Sequence, residues 1–131
     1  MGLFGNNRTN EFKNKFVDIW NLLANYSYGH LTASRETSMR KIEISFQELK
    51  EIARRYSDPF SEYFNMISQS ASVFGEKTSI AKGICIVYLA INAISQGQQI
   101  TISAHNAISA QAESICSSYQ GRKEVQNIIN S

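Results

Sequence analysis

Residues 83–121 contain one formally charged side chain, Glu113, and all other charges of the chain lie before or after this segment. Monomeric soluble proteins normally carry Lys and Glu on exposed helix faces. A segment this long without them is expected to be buried in its own bundle or covered by another molecule. This feature constrains the fold more than any motif in the chain.

Apolar residues recur at intervals of three and four along most of the sequence, which is the spacing of amphipathic helices. The predicted helices lie near residues 9–29, 34–57, 59–75, 80–96 and 101–119, with a short sixth helix or a frayed end at 122–130. Short connections favour antiparallel neighbours. The sequence therefore predicts an all-α fold, an antiparallel up-and-down bundle of about five helices. Residues 1–8 are expected to form a flexible N-terminus, and 9–131 a single helical-bundle domain.

The predicted third, fourth and fifth helices differ in their apolar patterns. Asp58-Pro59 is expected to cap a third helix whose apolar positions are Phe60, Tyr63, Phe64, Ile67, Ala71 and Phe74, ending at Gly75. The fourth helix is apolar nearly all round and is therefore expected to be central and buried. The fifth is expected to turn Ala104, Ile108, Ala112, Ile115 and Tyr119 inward.

The net charge and the two cysteines limit which partners and which cellular compartment are expected for this chain. A net charge of +2 does not indicate nucleic acid as a partner. The longest apolar run, residues 83–94, is shorter than the roughly 20 residues of a membrane span, so no integral membrane segment is expected. Cys85 and Cys116 fall in apolar helical patterns and are read as buried thiols of a cytoplasmic protein, with a disulfide between the two helices as the alternative. Residue usage resembles that of bacterial or phage proteins.

No catalytic, cofactor or metal signature is found, and the chain is not expected to be an enzyme. His105 could approach Cys85, but a Cys–His nucleophile also needs an oxyanion pocket. A histidine in a Ser- and Ala-rich helix is more often a hydrogen-bonded or edge residue. A small enzyme or ligand sensor that uses His105 remains one alternative.

The pattern favours a soluble protein–protein interaction module, of adaptor, inhibitor or immunity type, that self-associates or docks a protein partner through its charge-poor C-terminal half. The other alternative is a membrane-surface protein whose charge-poor hairpin opens and inserts. Arg54 and Arg55 form a small basic cluster that could meet an acidic partner. The candidate interface residues are Tyr88, Asn106, Ser109, Gln111, Glu113, Ser114 and Ser118, together with Arg54 and Arg55.

Overall fold

A computed structural model describes residues 2–65 and 77–131. These residues form five helices and one two-stranded antiparallel sheet, which confirms the predicted all-α bundle. The elements are α1 (Gly2–Tyr28), α2 (Arg35–Ala53), β1 (Tyr63–Asn65), β2 (Lys77–Ser79), α3 (Ile80–Ser95), α4 (Ile102–Ser117) and α5 (Tyr119–Asn130).

The first two helices pack against each other as their apolar spacing predicts. The buried stripe of α1 includes Phe12, Phe16, Ile19 and Leu23. Gly29, at φ 75°, follows the last turn of α1, where a left-handed residue is favourable only for glycine. α1 begins at Gly2, earlier than the predicted start near residue 9. The side chain of Ser34 caps α2 by accepting a hydrogen bond from the Thr37 amide at 3.1 Å.

The predicted third helix is wrong where the structure describes it. Asp58 does cap a turn, because its carboxylate accepts from the Phe60 amide at 3.1 Å, but strand β1 follows it. β1 pairs with β2 in the register Tyr63–Ser79, Phe64–Thr78 and Asn65–Lys77. The carbonyls of Pro59 and Glu62 accept the amides of Ala81 and Ile80, so this turn holds the start of α3. The remaining positions of that prediction, Ile67, Ala71, Phe74 and Gly75, lie outside the described residues.

β1 places one aromatic ring in the core. Phe64 is buried, with its ring centroid 5.0 Å from that of Phe12 and 5.4 Å from that of Phe16. Gly83 of α3 makes room for this cluster, since a β-carbon there would lie 2.9 Å from the Phe12 ring and 3.1 Å from the Phe64 ring. The hairpin thus closes the bundle at the beginning of α3.

α3 is the central helix and contacts α1, α2, α4 and α5. Ser79 caps it, accepting from the Lys82 amide at 3.0 Å. The expectation of complete burial holds only for its first two turns. From Tyr88 onward one strip of the helix is exposed, at Tyr88, Asn92 and Ser95. Ile91 is half-buried at the edge of this strip, whereas Phe46 of α2 is buried.

α4 lies at the edge of the bundle and packs on α3 and α5. Gly97, at φ 83°, turns the chain out of α3. Thr101 caps α4 by accepting from the Ala104 amide at 3.1 Å, close to the start predicted near residue 101. α4 ends at Ser117, because Ser118 leaves the helical conformation and caps α5 through the Gly121 amide at 2.9 Å. The tail predicted as a short helix or a frayed end is helix α5.

Candidate interaction surface

The outward side of α4 is the candidate functional surface of this protein. Its inward residues are His105, Ile108, Ala112 and Cys116, spaced three and four apart. The opposite side faces solvent and consists of small and polar residues. We call this surface the α4 face; its exposed members are Ile102, Asn106, Ala107, Ala110, Gln111, Glu113, Ser114, Ser117, Ser118 and Tyr119.

Five of the predicted interface residues, Asn106, Gln111, Glu113, Ser114 and Ser118, therefore lie together on one exposed surface. Ser109, predicted to join them, is half-buried at the margin.

The single charge of the α4 face is neutralised from within the chain. Lys82 of α3 donates a hydrogen bond from its Nζ to Glu113 Oε1 at 2.9 Å. This hydrogen bond, and then the charge of Lys82, lowers the pKa of Glu113. Ser117 also donates its hydroxyl to the Glu113 backbone carbonyl at 2.7 Å. The α4 face is thus wettable but has no uncompensated charge.

Large apolar side chains mark the two ends of the α4 face. Ile102 is 72% exposed and Tyr119 is 78% exposed, the two highest values for large hydrophobic residues in the described part of the chain. Lys123 lies over the Tyr119 ring, with its Nζ 5.3 Å from the centroid. Tyr119 was predicted to point inward, which is wrong. It belongs to α5, so the inward spacing of α4 does not extend to it.

A groove runs beside the first half of the α4 face, between α3 and α4. Its volume is about 310 Å³, near the lower end of the volumes of small-molecule sites, about 300–1,000 Å³. Leu89 and Ala93 of α3, with Ala104 and Ile108 of α4, supply apolar walls. The polar groups are amides, and none of the described residues that line the groove is charged. We call it the α3/α4 groove.

Tyr88 opens onto a different surface. A second groove, of about 420 Å³, lies between α2 and α3, and its lining includes Tyr88, Ile44 and Ile91 together with Arg40, Glu43 and Lys50. Ile44 is 56% exposed. Asn92 lines both grooves and so separates them. Tyr88 does not line the α3/α4 groove, and its role as a contact residue stays a prediction.

The basic cluster Arg54–Arg55 is engaged within the chain. Arg54 donates from its Nε to the Ile129 carbonyl at 2.7 Å, which satisfies a carbonyl in the last turn of α5. Arg55 pairs with Glu11 of α1 at 2.6 Å. Both contacts hold helices together, and neither arginine lies on the α4 face.

His105 lies on the inward side of α4. It is buried, and its ring meets the edge of the Trp20 ring with the centroids 4.5 Å apart. Burial lowers the pKa of His105, which keeps the imidazole neutral at physiological pH. This placement ties α4 to α1. The described residues contain no cluster of three or more His, Cys, Asp or Glu side chains arranged to hold a metal ion.

None of the described helices is both long enough and apolar enough to cross a membrane. Comparison with family models, curated proteins and solved structures finds no match for this chain. What the α4 face does must therefore be inferred from its own chemistry. Sequence reasoning missed Ile102 and Tyr119 as parts of this surface. The capping residues Thr101 and Ser118 could have indicated both, because each begins a helix whose first residue is Ile102 or Tyr119.

Proposed function

We propose that this protein is a helical protein–protein interaction module that pairs with a second copy of itself through the α4 face. One observation carries the proposal: α4 exposes a whole face whose only charge is already paired, and both ends of that face display a large apolar side chain. Interface cores are depleted in charge and enriched in aromatic residues. A free surface usually has the opposite composition.

A second copy is favoured over a foreign partner because the surface is self-complementary. In a twofold pair of antiparallel α4 helices, the axis passes near Ala110, in the middle of the helix. α4 has 16 residues and is about 24 Å long. Small residues on its exposed side, Ala107, Ala110 and Ser114, let two helix backbones approach closely. Residues at one end of α4 then meet those at the other end of the second copy.

This arrangement gives Tyr119 a binding site. Tyr119 at the end of one α4 face would lie against the beginning of the other, where the α3/α4 groove opens beside Ala104 and Ala107. An aromatic side chain seated in an apolar groove is a typical interface hot spot. The hydroxyl group would meet the amides of Gln96 and Gln98, which line the same groove.

The test introduces charge on the α4 face. Ala107→Lys with Ser114→Lys places two cations seven residues apart on the exposed side of α4, and their counterparts in the second copy repel them. We expect the variant to remain folded by circular dichroism and to be monomeric by light scattering at concentrations where the parent is dimeric.

The matched control is Asn127→Lys with Asn130→Lys, which adds the same charge on the exposed side of α5, away from Tyr119. That side already carries Arg122, Lys123 and Glu124, so the control should leave the mass unchanged. A parent chain that is monomeric at all concentrations, or a folded charge variant that stays dimeric, would refute pairing through α4.

A further inference from the structure

The groove between α2 and α3, which we call the α2/α3 groove, has a volume of about 420 Å³. This volume falls within the range of small-molecule sites, about 300–1,000 Å³. Its apolar walls are supplied by Ile44 and Phe46 of α2 and by Tyr88 and Ile91 of α3. Ile44 is 56% exposed and Tyr88 is 39% exposed, so part of this apolar surface is open to solvent. A ligand with an apolar body would therefore bury hydrophobic surface in the groove.

A buried lysine lines this groove. Lys50 is 4% exposed, and its Nζ lies 5.0 Å from the centroid of the Phe46 ring, which lines the groove as well. Lysine is almost never buried to this extent without a paired anion. Among the described residues, its Nζ has one hydrogen bond, to the Ser131 hydroxyl at 3.1 Å, and no salt bridge. An ammonium has three donors, so this neutral contact leaves two donors and the charge without a counter-ion.

The surroundings of Lys50 disfavour its charge further. Burial, and then the positive charge of Arg54, lower the pKa of Lys50. Arg54 is held in place, because its Nε donates to the Ile129 carbonyl at 2.7 Å. A buried cation without a counter-ion is unfavourable, and an adjacent anion offsets both the desolvation and the repulsion. The Lys50 end of the groove is therefore suited to a negatively charged group.

The other charged residues among the described lining of the groove, Arg40 and Glu43, set the orientation of such a ligand. Arg40 lies about 15 Å before Lys50 along the axis of α2. Its charge is already partnered, since its Nη2 is 3.6 Å from Glu36 Oε1. Glu43 lies about 10 Å before Lys50 and would repel an anionic group placed at that end. With two cations and one carboxylate, the lining favours a ligand with a single negative charge, located at Lys50.

We propose that the α2/α3 groove binds a singly charged amphiphilic carboxylate, with the carboxylate against the Lys50 ammonium and the hydrocarbon body along Ile44 and Ile91. The carboxylate accepts charge-assisted hydrogen bonds from the two remaining donors of Lys50. Phe46 lies about one turn before Lys50 and Ile44 about 9 Å before it along α2, so apolar surface begins directly beside the charge. A medium-chain fatty acid combines such an anionic head with an apolar tail.

This inference does not depend on pairing through the α4 face. Among the described lining residues, Asn92 is the only one that the α2/α3 groove shares with the α3/α4 groove, and no member of the α4 face lines the α2/α3 groove. A monomeric chain can bind the carboxylate, and a dimer can form without it. The two proposals can thus fail separately.

The first test uses the full chain without substitution and decanoate, at concentrations below those at which decanoate forms micelles. Isothermal titration calorimetry should show saturable binding with equal numbers of ligands and chains. Octanoate, which is two methylenes shorter, should bind about tenfold more weakly, because each buried methylene raises affinity by about threefold to fourfold. Decanol lacks the negative charge and should also bind about tenfold more weakly. Equal affinity for decanol and decanoate, or no saturable binding of decanoate, would overturn the proposal.

Methyl NMR of the same complex locates the ligand. The δ-methyl signals of Ile44 and Ile91 should shift as decanoate is added, because both residues line the groove. The signal of Ile102 is the matched control, since this isoleucine is 72% exposed on the α4 face and should not shift. Shifts at Ile102 without shifts at Ile44 would place the ligand on the α4 face and refute this site.

Two variants test the role of the buried charge. Lys50→Met replaces the ammonium by an apolar side chain of similar shape, so the variant should fold and should bind decanoate about tenfold to thirtyfold more weakly. The matched control is Lys41→Met, which removes an exposed cation of α2 outside the described lining of the groove and should leave the affinity unchanged. Equal weakening by the two variants, or unchanged affinity in Lys50→Met, would refute the proposal. If Lys50→Met does not fold, the decanol comparison and the methyl shifts of the parent chain decide the question.

Discussion

Helices α2 and α4 meet the core in the same way but differ on their outer sides. Each is capped by a hydroxyl side chain, Ser34 or Thr101, and each buries residues spaced three and four apart. The outer side of α2 is dense in charges of both signs, whereas that of α4 carries Glu113 alone. The charges around α2 form the pairs Glu36–Arg40, Lys15–Glu48 and Glu11–Arg55.

This difference in charge shows that the outer side of a helix can vary while its inner side keeps it in the bundle. Exposed ion pairs contribute at most about 1 kcal/mol each, so the charges of α2 are not what holds it in the bundle. They keep its outer side hydrated and discourage association. α4 folds without such charges, and its outer side is correspondingly ready for close contact.

The largest expected effect is on the inner side of α2. Leu49→Ala should reduce the free energy of unfolding by about 3–5 kcal/mol, because Leu49 is fully buried on a helix that contacts α1, α3 and α5. Ile108→Ala on α4 should cost less, about 2–3 kcal/mol, since α4 lies at the edge and can adjust. Urea unfolding at a concentration where the chain is monomeric measures both. A larger loss for Ile108 would mean that α4 is as central as α2.

The next effect concerns two glycines on either side of α4: Gly97 in the turn after α3, and Gly121 in the first turn of α5. In Gly121→Ala, the added β-carbon would lie 1.9 Å from the Ile115 carbonyl oxygen, so the corner between α4 and α5 must shift. We expect a loss of about 3 kcal/mol. Gly97→Ala meets no atom within 4 Å, but its φ of 83° is unfavourable for alanine, at about 1–2 kcal/mol.

Thermal unfolding of the two glycine variants, side by side, checks this order. If Gly121→Ala proved the milder change, the backbone between α4 and α5 would be able to shift and accommodate the added β-carbon at little cost.

The helices were predictable from sequence because each repeats its apolar spacing over several turns, and α2, α3, α4 and α5 are each preceded by a capping residue. The hairpin was not, because β1 has three residues and Phe60, Tyr63 and Phe64 fit a helical period equally well. What excludes a helix there is tertiary: Phe64 enters the core between Phe12 and Phe16, and the turn before it binds the first amides of α3.

The sequence predicted which helix carries the candidate surface, but it did not predict which residues form the ends of that surface. The absence of charge pointed to α4, and most of the polar residues named from sequence lie on its exposed side. The inward placement expected for Tyr119 failed because periodicity was carried past Ser118, which ends one helix and begins another.

A smaller effect, on association rather than folding, should follow from truncating the proposed anchor. Tyr119→Ala should weaken pairing by about 2 kcal/mol, or about 30-fold, because the aromatic ring would no longer fill the α3/α4 groove. Folding should be unaffected, since the side chain is largely exposed. Sedimentation equilibrium measures the dissociation constant.

Ile44→Ala is the matched control, because it removes an exposed apolar side chain from the α2/α3 groove instead. Should Ile44→Ala weaken association and Tyr119→Ala leave it unchanged, the contact surface would be the groove beside α2, and the contrast between the two helices would be reversed.

The smallest expected effect lies in the one ion pair of the α4 face. Lys82 lowers the pKa of Glu113, so the folded state holds the carboxylate ionised at a pH where the unfolded chain begins to take up a proton. The resulting stabilisation is fully present above the ordinary glutamate pKa of 4.5 and is lost as the pH falls through the lower folded-state value. Because Glu113 is largely exposed, its size should not exceed about 1 kcal/mol. Glu113→Gln should thus be slightly less stable than the parent at pH 7, and the difference should disappear as the pH falls through the lowered folded-state pKa of Glu113.

Glu36→Gln on α2 provides the comparison for this pair. Its partner Arg40 is 3.6 Å away, and both side chains are more exposed than those of the Lys82–Glu113 pair. An exposed i,i+4 pair of this kind contributes about 0.3–0.5 kcal/mol, so its removal should barely register in urea unfolding at either pH. If Glu36→Gln destabilised the chain more than Glu113→Gln, the charges of α2 would contribute to its packing after all, and their role would extend beyond keeping the outer side of that helix in water.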